Sequence, residues 1–293
     1  VAVILLLCMG ISGAFFHVPA PVVIKKFSGD RIGRGMSFYM LGGELARTLG
    51  PIIILGAVSL WGLEGTYRLI PFGVAASIWL FIRFRNIPVQ NNEGKKLDNQ
   101  TFKKIFRAHL YLFICIAGII LFRAFMKASI INFLPTYLNV KGQSLWFGGL
   151  SLSVFEISGA AGTFLAGNLS DRLGRINTLL ILTTITPLLM LLFVFSKGFW
   201  IFPVLVIMGF FMLSTGPVVL ALVMDQATEQ QTFMNGIYMT ITFISDSTTA
   251  LLIGVMSDWF GLVSTFKIAA FLALLAIPFV LFLSRKRRKY GRI

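Results

Sequence analysis

Seven ionisable side chains stand inside long apolar stretches of this 293-residue chain: His17, Glu44, Arg47, Arg123, Lys127, Glu156 and Asp246. A charge in such a setting is costly, so each one needs a partner or a task. The set holds three carboxylates and three fixed cations, which allows internal neutralisation. Glu44 and Arg47 are three residues apart, and Arg123 and Lys127 are four apart, so each pair shares one helix face. A buried carboxylate beside a base can act as a proton switch, because protonation removes its charge and releases the partner. The plainer alternative is that such pairs only hold helices together, and a long lysine such as Lys127 can also snorkel outward. His17 reads as a polar group satisfied by a neighbouring helix. No Walker loop, paired Asp-rich site, His-Cys metal cluster or nucleophile elbow accompanies these residues. Cys8 and Cys115 lie in apolar runs without a motif and read as packing residues.

The elements that must position these groups follow from composition. Hydrophobic residues make up 57% of the chain and charged residues 13%, with a mean hydropathy of +0.86. A soluble domain cannot hide this much apolar surface. A water-soluble enzyme, a disordered chain, a disulfide scaffold and a zinc module are therefore excluded. Helices of roughly 20 apolar residues cross a bilayer with every backbone group satisfied. Nine such spans are predicted, at about Val1–Ile24, Met36–Leu60, Leu69–Ile82, Leu110–Leu134, Leu145–Ala166, Ile176–Phe195, Phe199–Val223, Phe233–Met256 and Ile268–Leu283.

The connections alternate in charge. One set carries 19 of the 26 Lys and Arg residues, while the other holds Arg68, Lys141, Lys197 and Lys267. The positive-inside rule makes the first set cytoplasmic, with the first residue outside and the last inside. The net charge of +15 is thus mainly a topology signal and not a nucleic-acid footprint. The tail Arg285-Lys286-Arg287-Arg288-Lys289 is placed to touch anionic lipid. Trp61, Trp146, Trp200 and Trp259 fall at outer ends and Trp79 near an inner end, as an aromatic belt requires.

An internal repeat organises the spans. Gly56-Ala57-Val58-Ser59-Leu60-Trp61 echoes Gly254-Val255-Met256-Ser257-Asp258-Trp259, and Pro21-Val22-Val23 echoes Pro217-Val218-Val219. The later copy holds six spans and the earlier one three, so about three further spans are expected ahead of Val1. The predicted organisation is a first unit at 1–86, a basic cytoplasmic linker at 87–107, a six-span unit at 108–285 and a basic tail at 286–293. Two six-span halves with parallel orientation are an architecture of secondary transporters.

Gly167-Asn168-Leu169-Ser170-Asp171-Arg172-Leu173-Gly174-Arg175 resembles the cytoplasmic loop signature of the major facilitator superfamily, departing at Ile176 where a basic residue is usual. Phe16-His17-Val18-Pro19-Ala20, Gly33-Arg34-Gly35-Met36-Ser37, Gly42-Gly43 and Leu49-Gly50-Pro51 look like the fosmidomycin-resistance branch of drug exporters. In that branch the positions of Glu44 and Arg47 are more often uncharged. The resemblance implies an all-α membrane protein: a bundle of two pseudo-symmetric six-helix halves, with nine spans present here. It also implies that the third helix of each three-helix group lies outside the central cavity. The spans matching that role carry no charge; every mid-span charge falls on a predicted cavity wall.

In the loop, the resemblance sets Asp171 against the N-terminus of the helix starting near Thr232. Arg172 and Arg175 would then bond Asp225 or Glu229, and Gly167 and Gly174 belong to the same gate. The repeat offset also brings Arg47 near the counterpart of Asp246, so a cross-half ion pair would be a natural latch. Pro19, Pro21, Gly50, Pro51 and Pro217 are candidate bending points.

The leading expectation is proton-coupled alternating access, in the direction of drug or metabolite efflux. The alternative is proton-linked uptake of an organic anion. A membrane-embedded enzyme would need a clustered catalytic set at one membrane face. A non-transporting sensor is opposed only by the loop signature. No cofactor is expected beyond the proton gradient as energy source. The expected partners are a small molecule, protons and the lipid bilayer, for a monomer in the cell membrane.

Overall fold

A computed structural model of the chain describes residues 2–86, 99–226 and 230–290. The described residues form helices α1 (Ala2–His17), α2 (Ala20–Ser28), α3 (Ile32–Trp61), α4 (Ile70–Phe84), α5 (Asn99–Val140), α6 (Leu145–Leu173), α7 (Arg175–Phe195), α8 (Ile201–Leu213), α9 (Thr215–Met224), α10 (Gln231–Phe260), α11 (Leu262–Leu274) and α12 (Ala276–Tyr290). Among them, nine helical stretches are long and apolar enough to cross a membrane, and they coincide with the nine predicted spans. Three of the nine are pairs of helices joined at a break: α1–α2, α8–α9 and α11–α12.

Two boundaries differ from expectation. Helix α5 begins at Asn99, inside the stretch read as linker, and runs for 42 residues. At 1.5 Å per residue it is about twice as long as the hydrocarbon core is thick, so one end projects into water. Lys103, Lys104 and Arg107 are good helix formers as well as linker-like charges, and there the helix wins. Residues 87–98 of the predicted linker lie outside the described residues. The predicted tail likewise continues α12 as far as Tyr290.

Proline explains two of the breaks directly. Pro21 has no N–H for the carbonyl of His17, and the helix stops there and restarts at Ala20. The carbonyls of His17 and Val18 instead accept from Asn235 Nδ2 on α10, at 3.0 and 2.7 Å. Pro217 leaves the Leu213 carbonyl without its helical donor, and Thr163 Oγ1 of α6 reaches it at 3.3 Å. Helix α3, by contrast, runs unbroken through Gly50 and Pro51, so that predicted bending point produces no break. The Pro51 side chain lies outside the described residues.

Two apolar clusters fill the bundle. One, around Met36, Leu112, Ile116, Leu179 and Val219, lies toward the end where the basic connections gather. The other, around Met126, Ile130, Phe193 and Phe266, lies toward the opposite end, with Tyr137 stacked on Phe266 at 4.1 Å between ring centres. Lipid supplies no hydrophobic drive between helices, so close packing must do the work. On α6, Gly162 abuts the Phe210 carbonyl and Gly167 abuts Gly33, which lets α8 and α3 approach backbone to backbone.

Candidate functional site

Helices α3, α5, α8, α9 and α10 line a polar cavity at mid-bundle. Its larger lobe, about 340 Å³, is lined by Arg47, Lys127, Asn132, Asp246 and Ser247. An adjoining lobe of about 120 Å³ adds Glu44, Arg123, Thr215, Tyr238 and Thr242. Among the described residues, none lining these two lobes comes from α4, α7 or α12, which belong to the spans expected to stand outside the cavity.

The mid-span charges pair locally. Lys127 Nζ donates to Asp246 Oδ2 at 2.7 Å, joining α5 to α10, with both side chains about one-third exposed (34% and 35%) to the cavity. Arg47 pairs with Glu44 one turn away on α3, and Glu44 is buried. The expected cross-half ion pair between Arg47 and Asp246 is therefore not made, although both residues line one lobe. The i, i+3 partner on α3 is held close by the helix itself, so it captures Arg47 first. Arg123 Nη2 donates to the Met212 carbonyl at 2.7 Å, at the C-terminal end of α8, where the helix dipole favours a cation. Glu156 on α6 is buried, and its Oε2 has no hydrogen-bond partner among the described residues. His17 is satisfied by a neighbouring helix as expected: Nδ1 shares a 2.7 Å hydrogen bond with the Tyr39 hydroxyl.

At the basic end a second constellation ties the helices together. Asp171 Oδ1 accepts from Gly33 N and Oδ2 from Arg34 N, each at 3.0 Å. Those are the second and third backbone N–H groups of α3, whose own N-cap, Arg31, provides no side-chain cap. Asp171 therefore caps α3 from another helix, with its charge at the positive end of the dipole. This corrects the expectation that Asp171 serves the helix starting near Thr232. That helix, α10, is the repeat counterpart of α3; at this end α6 lies against α3, so the nearer N-terminus receives the carboxylate.

Arg175 locks the arrangement. Its Nη1 lies 2.6 Å from Asp171 Oδ1, and its Nε donates to Asp225 Oδ2 at 2.8 Å. Gly174, at φ +87°, makes the turn that aims Arg175 back at the loop, a conformation glycine adopts without steric cost. Arg172 does not join: it is exposed and makes no ion pair among the described residues. Glu229 lies outside the described residues. Gly167 N donates to Ser37 Oγ at 2.7 Å, and a Cβ on Gly33 would stand 2.7 Å from the Gly167 carbonyl oxygen. Lys25 reaches the Met224 carbonyl. Tyr39 and Asn235 were not singled out from sequence, where a lone polar residue in an apolar helix carries little signal.

The fold and the cavity define a polytopic membrane protein whose helices line a polar cleft and are tied together at one end by Asp171 and Arg175. The sequence model of the Major Facilitator Superfamily matches residues 1–247 and 149–292, and the chain belongs to that family. It is a transporter and a multi-pass membrane protein, not an enzyme.

Among curated proteins it is 25% identical to the Fosmidomycin resistance protein of Escherichia coli (strain K12), over 96% of this chain and 70% of that protein. It is also 25% identical to the uncharacterized MFS-type transporter YfnC of Bacillus subtilis (strain 168), over 96% and 71%. Among solved structures, the transporter FucP in its outward conformation aligns with a TM-score of 0.70 at 17% identity, over 91% of this chain and 72% of that one. A second structure of FucP, the E. coli fucose:proton symporter, aligns with a TM-score of 0.71 at 17% identity. Those two likenesses concern the fold.

Proposed function

We propose that the chain moves a small molecule across the cell membrane by proton-coupled alternating access, in the direction of efflux. The basic end is the cytoplasmic end in this reading, and the proton gradient is the only energy source. The carrying observation is that one constellation ties α6 to α3 at the basic end while carboxylates lie in or beside the cavity. Asp171 and Arg175 hold the cytoplasmic end shut, while Asp246 on Lys127 and the unpartnered oxygen of Glu156 lie in or beside the cavity. Protonation of Asp246 frees Lys127, and protonation of Glu156 removes a charge that lacks a full set of partners. Either event changes which helix contacts are favoured, which is what a two-state transporter requires. Similarity to a protein named for drug resistance supports the outward direction.

A second reading is uptake of an anion together with a proton. It is favoured by one feature of the pair: an ionised Asp246 occupies the cation that an anionic substrate would use, so proton and anion would enter together.

Both readings make one prediction. Glu156→Gln and Asp246→Asn should retain downhill exchange of substrate but lose pH-driven accumulation by at least about tenfold, the factor that 1.4 kcal/mol of coupling represents. Uptake and efflux assays in proteoliposomes with and without a pH gradient read this. Full accumulation in both variants would remove the proton assignment.

A further inference from the structure

A second cavity, of about 220 Å³, opens between α7 and α12, two helices that line neither lobe of the polar cleft. Helix α7 leaves the basic end and α12 returns to it, so the two run antiparallel and their turns pair by level. Leu180 pairs with Val280 and Leu281 on the membrane side of the groove. One turn nearer the basic end, Asn177 pairs with Ser284 and Arg285. The groove thus has an aliphatic floor and a polar, cationic rim.

Its walls are held in place. Val280 and Leu283 are buried in the same apolar cluster as Ile176 and Leu179, which leaves Leu281 and Arg285 exposed on the outer side of α12. The Tyr111 hydroxyl donates to the Phe282 carbonyl at 2.7 Å and ties α12 to α5 at this level. Deeper in the membrane, Ile181 and Leu188 of α7 are exposed as well, and in a bilayer such side chains meet acyl chains.

Charge selects what fills the rim. Arg285 makes no ion pair among the described residues, and none of the described residues lining the groove is acidic. Asn177 spends one amide hydrogen on the Leu173 carbonyl at 3.1 Å and has a second to give. Beyond the rim, α12 continues through the basic run Lys286-Arg287-Arg288-Lys289. A guanidinium fork matches the geometry of a phosphate. A basic pocket between membrane helices, set over an aliphatic floor, has the chemistry of an anionic phospholipid site.

We propose that the groove between α7 and α12 binds one anionic phospholipid from the leaflet at the basic end. The lipid phosphate takes Arg285, the Asn177 amide and the Ser284 hydroxyl, and an acyl chain lies over Leu180 and Leu281. The site uses no residue of the polar cleft and stands whether or not the transport reading does. It also bears on the basic-end constellation. Helix α7 begins at Arg175, which bonds Asp171 and Asp225 and is two residues from Asn177. A lipid that bridges α7 and α12 braces the helix that carries Arg175.

Native mass spectrometry of the purified full-length protein in detergent, titrated with dioleoylphosphatidylglycerol, tests this. Dioleoylphosphatidylcholine has the same chains and no net charge, and glycerol 3-phosphate has the phosphate without the chains. One phosphatidylglycerol should be retained at concentrations where phosphatidylcholine is lost, and excess glycerol 3-phosphate should not displace it. Arg285→Gln should weaken retention about tenfold, as for loss of a charge-assisted bond. Ser284→Leu leaves every charge in place but fills the rim, and should weaken retention by roughly threefold to tenfold. Leucine suits a lipid-facing position, so this variant reads the groove even if the arginine variant fails to fold. Arg83→Gln, at the basic end of α4, should leave retention unchanged.

Equal retention of the two lipids, displacement by glycerol 3-phosphate, or wild-type retention in Ser284→Leu would overturn the site. Wild-type retention in Ser284→Leu combined with weakened retention in Arg285→Gln would assign the lipid to the basic tail and not to the groove.

Discussion

Under the proposed mechanism, Gly167→Val is expected to abolish transport and to leave the basic end, cytoplasmic in that reading, open. Helices α3 and α6 touch at Gly33 and Gly167, where a side chain on either residue would run into the backbone carbonyl of the other. A carbonyl in a helix cannot swing aside as a flexible side chain can, so the helices must separate. Separation removes the Ser37–Gly167 hydrogen bond and moves α3 away from Asp171. Overpacking a tight contact costs about 1–3 kcal/mol, and a clash with backbone lies at the upper end of that range. About 3 kcal/mol corresponds to a change of roughly 100-fold or more in the ratio of closed to open forms. Ser37→Cys, in a background without Cys8 and Cys115, reports it. Ser37 is fully buried, so this cysteine should resist an impermeant maleimide applied from the cytoplasmic side and become reactive when Gly167→Val is added. Continued protection with normal transport would mean that the contact is not part of the gate.

Asp171→Asn should shift the same equilibrium by a smaller but still large amount. The carboxylate bonds two backbone N–H groups and Arg175 at once, and it is largely buried, with 14% of its side chain exposed. An amide loses the charge, and one of its two ends is a donor that cannot accept from α3. Arg175 keeps Asp225 and Ser170, so the loop stays folded while its grip on α3 weakens. Losing a charge-assisted set of this kind costs about 2 kcal/mol, or roughly a 30-fold shift toward the form open to the cytoplasm. Spin labels at Arg34 and Arg172, both exposed, would show a second, longer distance appear in the variant. An unchanged distance distribution would contradict the clamp.

The membrane made much of this fold legible. A bilayer demands long apolar helices, so hydropathy located the nine spans found among the described residues, and the prolines marked the helix breaks at Pro19–Pro21 and Pro217. Pro51 shows the limit, because a proline does not break every long helix it enters. The start of α5 was hidden because a basic helix leaving the membrane and a basic linker have the same composition.

At the candidate site, spacing revealed Glu44 with Arg47, which are neighbours on one helix. Lys127 and Asp246 are 119 residues apart, and only the crossing of α5 and α10 joins them. Asp171 and Arg175 stood out in the loop signature, but the helix that Asp171 caps depended on how the two helix groups dock. Thr215 was legible only as part of the bend with Gly216 and Pro217, since threonines are common in membrane helices and its unpartnered hydroxyl shows only in the structure.

Proton movement driven by a transported compound tests the central claim most directly. Inverted membrane vesicles containing the full-length protein would be energised to build a proton gradient, followed with a pH-sensitive dye, and challenged with small drugs and organic anions. The account predicts that at least one compound collapses the gradient, and that Asp246→Asn and Glu156→Gln abolish the collapse. A compound that crosses the membrane through this protein without moving protons, or a collapse that persists in both variants, would contradict it.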